Sequence, residues 1–356
     1  KLIKILNNKF LIIIFLLCLG FLSSFSLPPY NFFLINFFTF PALFYILFIN
    51  ISRNLLNNFL VGWFYGFGYF ISNLYWISNS LKFDKNFENL IILSILLIPL
   101  LLSLFYGFFS YALKFFNVKM NFSSILIFSL TLSVVEYLRG TIFGGFPWNL
   151  ISFSLVNIKS LIQILSLVGT YSLNLLVITF YTLPVIILFK IQILKKFIIL
   201  LSAVLILSLN TYYGYNKIEQ IENEPKKIIY PTIKLVSPKF NIERFFIDEP
   251  IEDKLNELFE NSYPLDKDLL LIFPEGITNT AEINQLDKNF NEISSQLTND
   301  SKLILGITLF HTLLIVSSNQ RFVVLTIPCK ISCFNRTKIF QFSFNSIYHL
   351  LNEEIL

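Results

Sequence analysis

Charge is scarce in this chain. Only 14% of its 356 residues are Asp, Glu, Lys or Arg, while 55% are hydrophobic, a balance that excludes a wholly soluble globular protein of this size. Histidine occurs twice and cysteine three times. Cys18, Cys329 and Cys333 are too few for a disulfide framework. Cys329 and Cys333 have a CxxxC spacing without a nearby histidine pair, which argues against zinc. No metal and no cofactor is expected. Acids are almost missing from the first part of the chain. Residues 1–213 hold three, against thirteen Lys/Arg, for a net charge of +10. Residues 214–356 hold nineteen acids against fourteen Lys/Arg, for −5. The positive charges lie between apolar runs rather than along one face, so nucleic acid is not an expected partner. A basic, apolar half followed by an acidic, mixed half reads as a membrane domain over 1–213 and a water-soluble domain over 214–356.

What is present in abundance is long apolar sequence. A span needs about 20 apolar residues to cross roughly 30 Å of hydrocarbon, and seven stretches qualify: 10–27, 31–50, 57–80, 90–113, 122–138, 161–189 and 197–213. The connections alternate in charge. Lys1, Lys4, Lys9, Arg53, Lys114, Lys119, Lys190, Lys195 and Lys196 fall on one side with no acid among them. Lys82, Lys85, Arg139 and Lys159 fall on the other, with Asp84, Glu88 and Glu136. The positive-inside bias predicts a cytoplasmic N-terminus. Seven crossings then put residues 214–356 on the far side.

Two connections carry more than a link. Leu27-Pro28-Pro29-Tyr30-Asn31 reads first as a rigid turn. The stretch Glu136-Tyr-Leu-Arg139-Gly-Thr-Ile-Phe-Gly144-Gly145-Phe146-Pro147-Trp148-Asn149 is too irregular for a helix. Its aromatic residues suit either a plain interfacial belt or a lipid-facing wall. Glu136 and Arg139 stand at the end of a span, where ionisable groups are costly and are paired or functional. Gly144 and Gly145 allow a tight backbone fold before Phe146. Gly169-Thr-Tyr-Ser172 offers small polar residues for close helix contact.

In the soluble half, strands are predicted over 228–236, 269–273 and 302–308, with helices over 249–262 and 282–298 between them. That is an α/β pattern. A hairpin follows over 312–316 and 321–327, and beyond Pro328 the pattern degrades. The second strand, Asp268-Leu-Leu-Leu-Ile-Phe273, is stopped by Pro274 and delivers Glu275. A carboxylate at the C-terminal end of a buried strand lies where open α/β sheets place their ligands.

Taken in order, Leu27-Pro-Pro-Tyr30, Glu136-Tyr-Leu-Arg-Gly140, Gly145-Phe-Pro-Trp148, Gly169-Thr-Tyr-Ser172, the strand at 233–236 and Phe273-Pro-Glu275 resemble the apolipoprotein N-acyltransferase family. The resemblance implies a polytopic helical membrane domain carrying an extracytoplasmic nitrilase-like α/β domain, the carbon–nitrogen hydrolase fold, in the bacterial inner membrane. It implies transfer of a phospholipid acyl chain to the N-terminal amine of a diacylglyceryl-cysteine lipoprotein, through a thioester on a Cys nucleophile. The partners are then the phospholipid donor, the lipoprotein acceptor and the bilayer itself. Glu275 corresponds to the general base, and Trp148, with Gly145, Phe146 and Pro147, to a loop beneath the active site that meets acyl chain or headgroup. Lys330 is a candidate for the family's oxyanion-stabilising lysine, ahead of Lys338, although Ile331-Ser-Cys-Phe334 departs from the family's motif. Cys329 and Cys333 come too early, and in the wrong context, to match the nucleophile. On this reading the α/β domain is incomplete, the chain is a truncated or frame-disrupted member, and no acyl transfer is expected from it alone. Two other readings fit the same pattern: a non-catalytic, degenerate member, and a membrane binding or transport protein with an outer α/β cap.

Overall fold

The computed structural model describes residues 9–50, 55–83, 85–116, 118–223, 232–237, 251–263, 269–273, 302–307, 312–317 and 320–326. The chain divides into two units, Lys1–Pro225 and Lys226–Leu356.

The first unit is helical. Helix α1 is Lys9–Ser24, and a 3-10 turn at Phe33–Ile35 leads into α2, Asn36–Asn50. Helix α3, Leu55–Leu74, continues into 3-10 segments at Tyr75–Phe83 and Lys85–Leu90. Then come α4, Ile91–Leu113, and α5, Phe122–Thr141. Two one-turn pieces, α6 (Lys159–Ile162) and α7 (Leu165–Val168), precede α8, Thr170–Thr182. Helix α9, Ile193–Asn223, closes the unit.

Among the described residues, four segments are long and apolar enough to cross a membrane: Asn86–Phe116, Phe122–Thr141, Thr170–Leu188 and Ile193–Asn223. The expected spans at 10–27 and 31–50 correspond to shorter apolar helices, and α3, in the expected third span, has 20 residues but is not among the four segments that are apolar enough. The protein is a multi-pass membrane protein. The apolar run of the last helix stops near residue 213, but the helix itself continues to Asn223 with Lys217, Glu219 and Glu222. At about 1.5 Å per residue its 31 residues reach about 46 Å, well past the hydrocarbon. Leu194, Phe197, Ile198, Leu201 and Leu205 are all exposed along it, as a lipid-solvated face requires.

Lipid offers no hydrophobic incentive for helices to associate, so close packing and hydrogen bonds must supply it. Helix α3 meets α4 through Gly62 and Gly66. A Cβ at Gly62 would stand 2.0 Å from the Tyr106 carbonyl oxygen. Ser110 Oγ in α4 donates to the Asn58 carbonyl at 2.7 Å and accepts from Gly62 N at 3.2 Å. On its other side α3 meets α1 through Gly68, beside the Leu17 carbonyl. Tyr65, Tyr69, Tyr106 and Tyr181 are buried in this core with Phe40 and Phe128.

One contact differs from expectation. Gly169 makes no close helix approach; nothing lies within 4 Å of a Cβ placed there, and its φ is +76°. It interrupts the expected sixth span instead, ending α7 and starting α8. The neighbouring Tyr171 makes the contact, with its hydroxyl against Gly140.

The second unit holds a mixed sheet. Its strands are β1 (Thr232–Leu235), β2 (Leu269–Ile272), β3 (Lys302–Ile307), β4 (Thr312–Ser317) and β5 (Gln320–Thr326), in that spatial order. Pairs β1–β2 and β2–β3 are parallel, and β3–β4 and β4–β5 antiparallel. Helix α10, Ile251–Glu260, lies in the crossover between β1 and β2, as parallel pairing demands. Leu270, Leu271 and Phe273 are buried, and Phe259 of α10 packs edge-on to Phe273 at 5.4 Å. The apolar run before Pro274 is thus a buried strand. Its neighbour Glu275, the expected helix at 282–298, and Cys329, Lys330, Cys333 and Lys338 lie outside the described residues.

Candidate functional site

The site of the membrane unit is built from the last turn of α5. That helix starts on Asn121, whose side chain accepts from Ser124 N at 2.9 Å, a standard N-cap. Near its end, Glu136 and Arg139 are three residues apart and therefore on one face. That face points inward: both side chains are fully buried, with Arg139 Nη2 3.4 Å from Glu136 Oε2.

Each ion has further partners. Tyr106 of α4 donates its hydroxyl proton to Glu136 Oε1 at 2.8 Å. Asn174 of α8 donates to Glu136 Oε2 at 3.4 Å and accepts from Ser152 N at 2.9 Å. The Arg139 guanidinium lies over the Phe70 ring, 5.3 Å from its centroid. Its Nη1 donates to the Phe146 carbonyl at 2.6 Å and the Trp148 carbonyl at 2.8 Å. Charge-assisted bonds of this kind are about twice as strong as neutral ones.

The loop these bonds hold folds back on its helix. Gly144 and Gly145 have φ of +90° and +79°, values that disfavour a side chain. A Cβ at Gly145 would stand 2.4 Å from the Gly140 carbonyl oxygen. Past this point Phe146 N donates to the Arg139 carbonyl at 2.8 Å. Tyr69 Oη donates to the Asn149 carbonyl at 2.8 Å. The loop backbone is therefore pinned at residues 146, 148 and 149.

Pinning the backbone inward leaves the rings outward. Trp148 is 53% exposed and Trp76, just past α3, is 41% exposed. Their rings stack with centroids 5.4 Å apart at 28°. Phe146 also stacks with Trp148, at 6.3 Å and 27°, and is partly buried against the core. Pro147 between them is exposed. The result is a column of three aromatic rings, two from the hydrogen-bonded loop and one from the segment after α3, chemically suited to apolar chains and headgroup borders rather than to water. Among the described residues no group of three His, Cys, Asp or Glu is placed to hold a metal.

The structure thus brings together Gly145, Phe146, Pro147 and Trp148, and ties them to Glu136 and Arg139. It adds Tyr69, Trp76, Tyr106 and Asn174, which the sequence reading passed over. Their signal was there: a hydroxyl or amide inside an apolar span has to find a partner. The second site element, the Leu27–Asn31 turn, is closed by Tyr30 N and Asn31 N donating to the Leu27 carbonyl at 3.1 and 3.0 Å.

Residues 19–183 match the family model of the apolipoprotein N-acyltransferase N-terminal domain. The pair, the loop and the ring column all fall inside that stretch. An apolipoprotein N-acyltransferase of Brucella melitensis is 32% identical over 173 residues, covering 46% of this chain and 32% of the relative. One of Rickettsia typhi is 32% identical over 251 residues, 68% of this chain and 48% of the relative. One of Agrobacterium fabrum is 29% identical over 235 residues, 63% and 43%. The matched part of the chain spans less than half the length of each of these curated relatives.

Proposed function

Because the chain belongs to the apolipoprotein N-acyltransferase family, we propose that it serves lipoprotein N-acylation at the extracytoplasmic face of the bacterial inner membrane. The substrates are a phospholipid acyl donor and a diacylglyceryl-cysteine lipoprotein. The observation that carries this reading is the aromatic column on the 145–149 loop: an exposed ring surface anchored by a buried ion pair, within the stretch that matches the family.

In the proposed chemistry a thiolate attacks the acyl ester, the lysophospholipid leaves through its alcohol oxygen, and a thioester remains on the enzyme. The lipoprotein amine then attacks the thioester and returns the thiolate. Glu275 is the proposed base, receiving the thiol proton and later the amine proton. Lys330 is proposed for the oxyanion. Trp148, backed by Phe146 and Pro147, is proposed to meet the donor's acyl chain or headgroup border. Neither Cys329 nor Cys333 fits the nucleophile's setting.

The test is a variant in bilayer nanodiscs that keeps Trp148 alone, with Trp63→Phe and Trp76→Phe. Phospholipids brominated near the top of the acyl chain should quench Trp148 strongly, and aqueous acrylamide weakly. Quenching by acrylamide alone would remove the lipid-facing role.

A further inference from the structure

The buried ion pair lies behind the ring column, not in it. Neither Glu136 nor Arg139 is reachable from the surface, since both side chains are fully buried. They cannot touch a lipid. What they touch is the loop backbone. Arg139 spends one nitrogen on two loop carbonyls, 2.6 Å from Phe146 O and 2.8 Å from Trp148 O, and turns the other toward Glu136. Glu136 in turn is fixed from two further helices by Tyr106 and Asn174.

We propose that Arg139, aligned by Glu136, is a positioning residue that sets Trp148 in its stack on Trp76. Trp76 thereby becomes part of the acyl-chain surface. The two carbonyls held by Arg139 flank Pro147, so fixing both sets the direction in which residues 146 and 148 project. Phe146 and Trp148 lie two residues apart, and their rings stack nearly parallel on one side of the loop. Trp76 comes from a separate element, the 3-10 segment after α3, and it meets Trp148 only if the loop stands at one height. A lysine would bring the charge without the fork. Its single ammonium cannot serve two carbonyls and a carboxylate in the plane that the guanidinium fills. The proposal rests on the lipid-facing role given to Trp148 above, but its test does not.

Two stacked indoles couple their transitions and give a split band in the far-ultraviolet circular dichroism. Among the described residues Trp76 and Trp148 form the one tryptophan pair in stacking contact; Trp63 packs against Phe64 and Phe67. In the full chain in nanodiscs, Trp76→Phe should remove the split band and so identify it. Arg139→Lys and Arg139→Gln should each lose it while helical dichroism is retained. Leu138→Ala, on the exposed side of α5, should keep it. If Arg139→Gln fails to fold, the doubly neutral Glu136→Gln/Arg139→Gln chain leaves no unpaired buried charge and should lose the band in the same way. A split band that survives in any folded Arg139 variant overturns the proposal. Brominated-lipid quenching of the unsubstituted loop reports on the lipid role separately, so the failure of either is recognised without the other.

Discussion

Replacing Glu136 by alanine probes the most expensive feature of the membrane unit. The wild-type carboxylate answers a fully buried guanidinium 3.4 Å away and accepts from Tyr106 at 2.8 Å. Without it, Arg139 keeps its two carbonyl acceptors but has no counter-charge. Breaking a buried pair from one side costs about 3–5 kcal/mol. The stranded Tyr106 hydroxyl adds about 1–3 kcal/mol. Asn174 keeps its bond to Ser152 N and adds little. The two penalties share one site and do not sum fully, so about 4–6 kcal/mol is expected. The Glu136→Gln/Arg139→Gln chain should cost less than Glu136→Ala, because no net charge is left buried. The assay is reversible denaturant unfolding in detergent micelles, with Glu136→Gln, Arg139→Gln and their double completing a cycle. Val134→Ala, at a site 48% exposed, is the reference. If Glu136→Ala costs no more than Val134→Ala, the pair is not the anchor described here.

Other consequences are open to measurement. Gly62→Val puts a Cβ 2.0 Å from the Tyr106 carbonyl and 2.3 Å from Ser110 Oγ. The α3–α4 contact must open, at about 1–3 kcal/mol or more, and the melting temperature in detergent should fall; an unchanged value would contradict the packing. Tyr69→Phe removes the donor to the Asn149 carbonyl. It should cost about 0.5–1.5 kcal/mol and raise acrylamide quenching of Trp148, with the fold intact by circular dichroism. Gly145→Ala combines a positive φ with a clash against Gly140, and it should disturb the split tryptophan band more than Gly169→Ala, where space is free.

Much of the membrane unit was legible because span length and apolarity are local properties. Glu136 and Arg139 stood out for the same reason: two opposite charges in an apolar run are conspicuous. Their partners did not. Tyr106 and Asn174 lie 30 and 38 residues from Glu136, and nothing local says which hydroxyl in which span will meet a carboxylate. The Gly62-x-x-x-Gly66 spacing is a signature of close helix contact that local sequence does carry, whereas Gly169 is not such a contact. Gly169 stands at a helix break, where a positive φ rather than proximity calls for glycine. Trp76 carries no local signal of its partner, since only the fold brings it over Trp148. In the second unit the alternation of strands and helix announced β1, α10 and β2, and the buried run of β2 was plain from Leu269 to Phe273. The proposed base Glu275 and the candidate Lys330 rest on sequence alone.

The most direct measurement of the central claim uses a phospholipid with a photoreactive group on its acyl chain, in a bilayer containing the full chain. Mass spectrometry then locates the cross-links. The lipid-handling role predicts adducts concentrated on the 145–149 loop and around Trp76, reduced when excess unlabelled phospholipid competes and reduced again in Trp148→Ala. Adducts confined to the lipid-solvated face of α9, indifferent to both competitor and substitution, would contradict it.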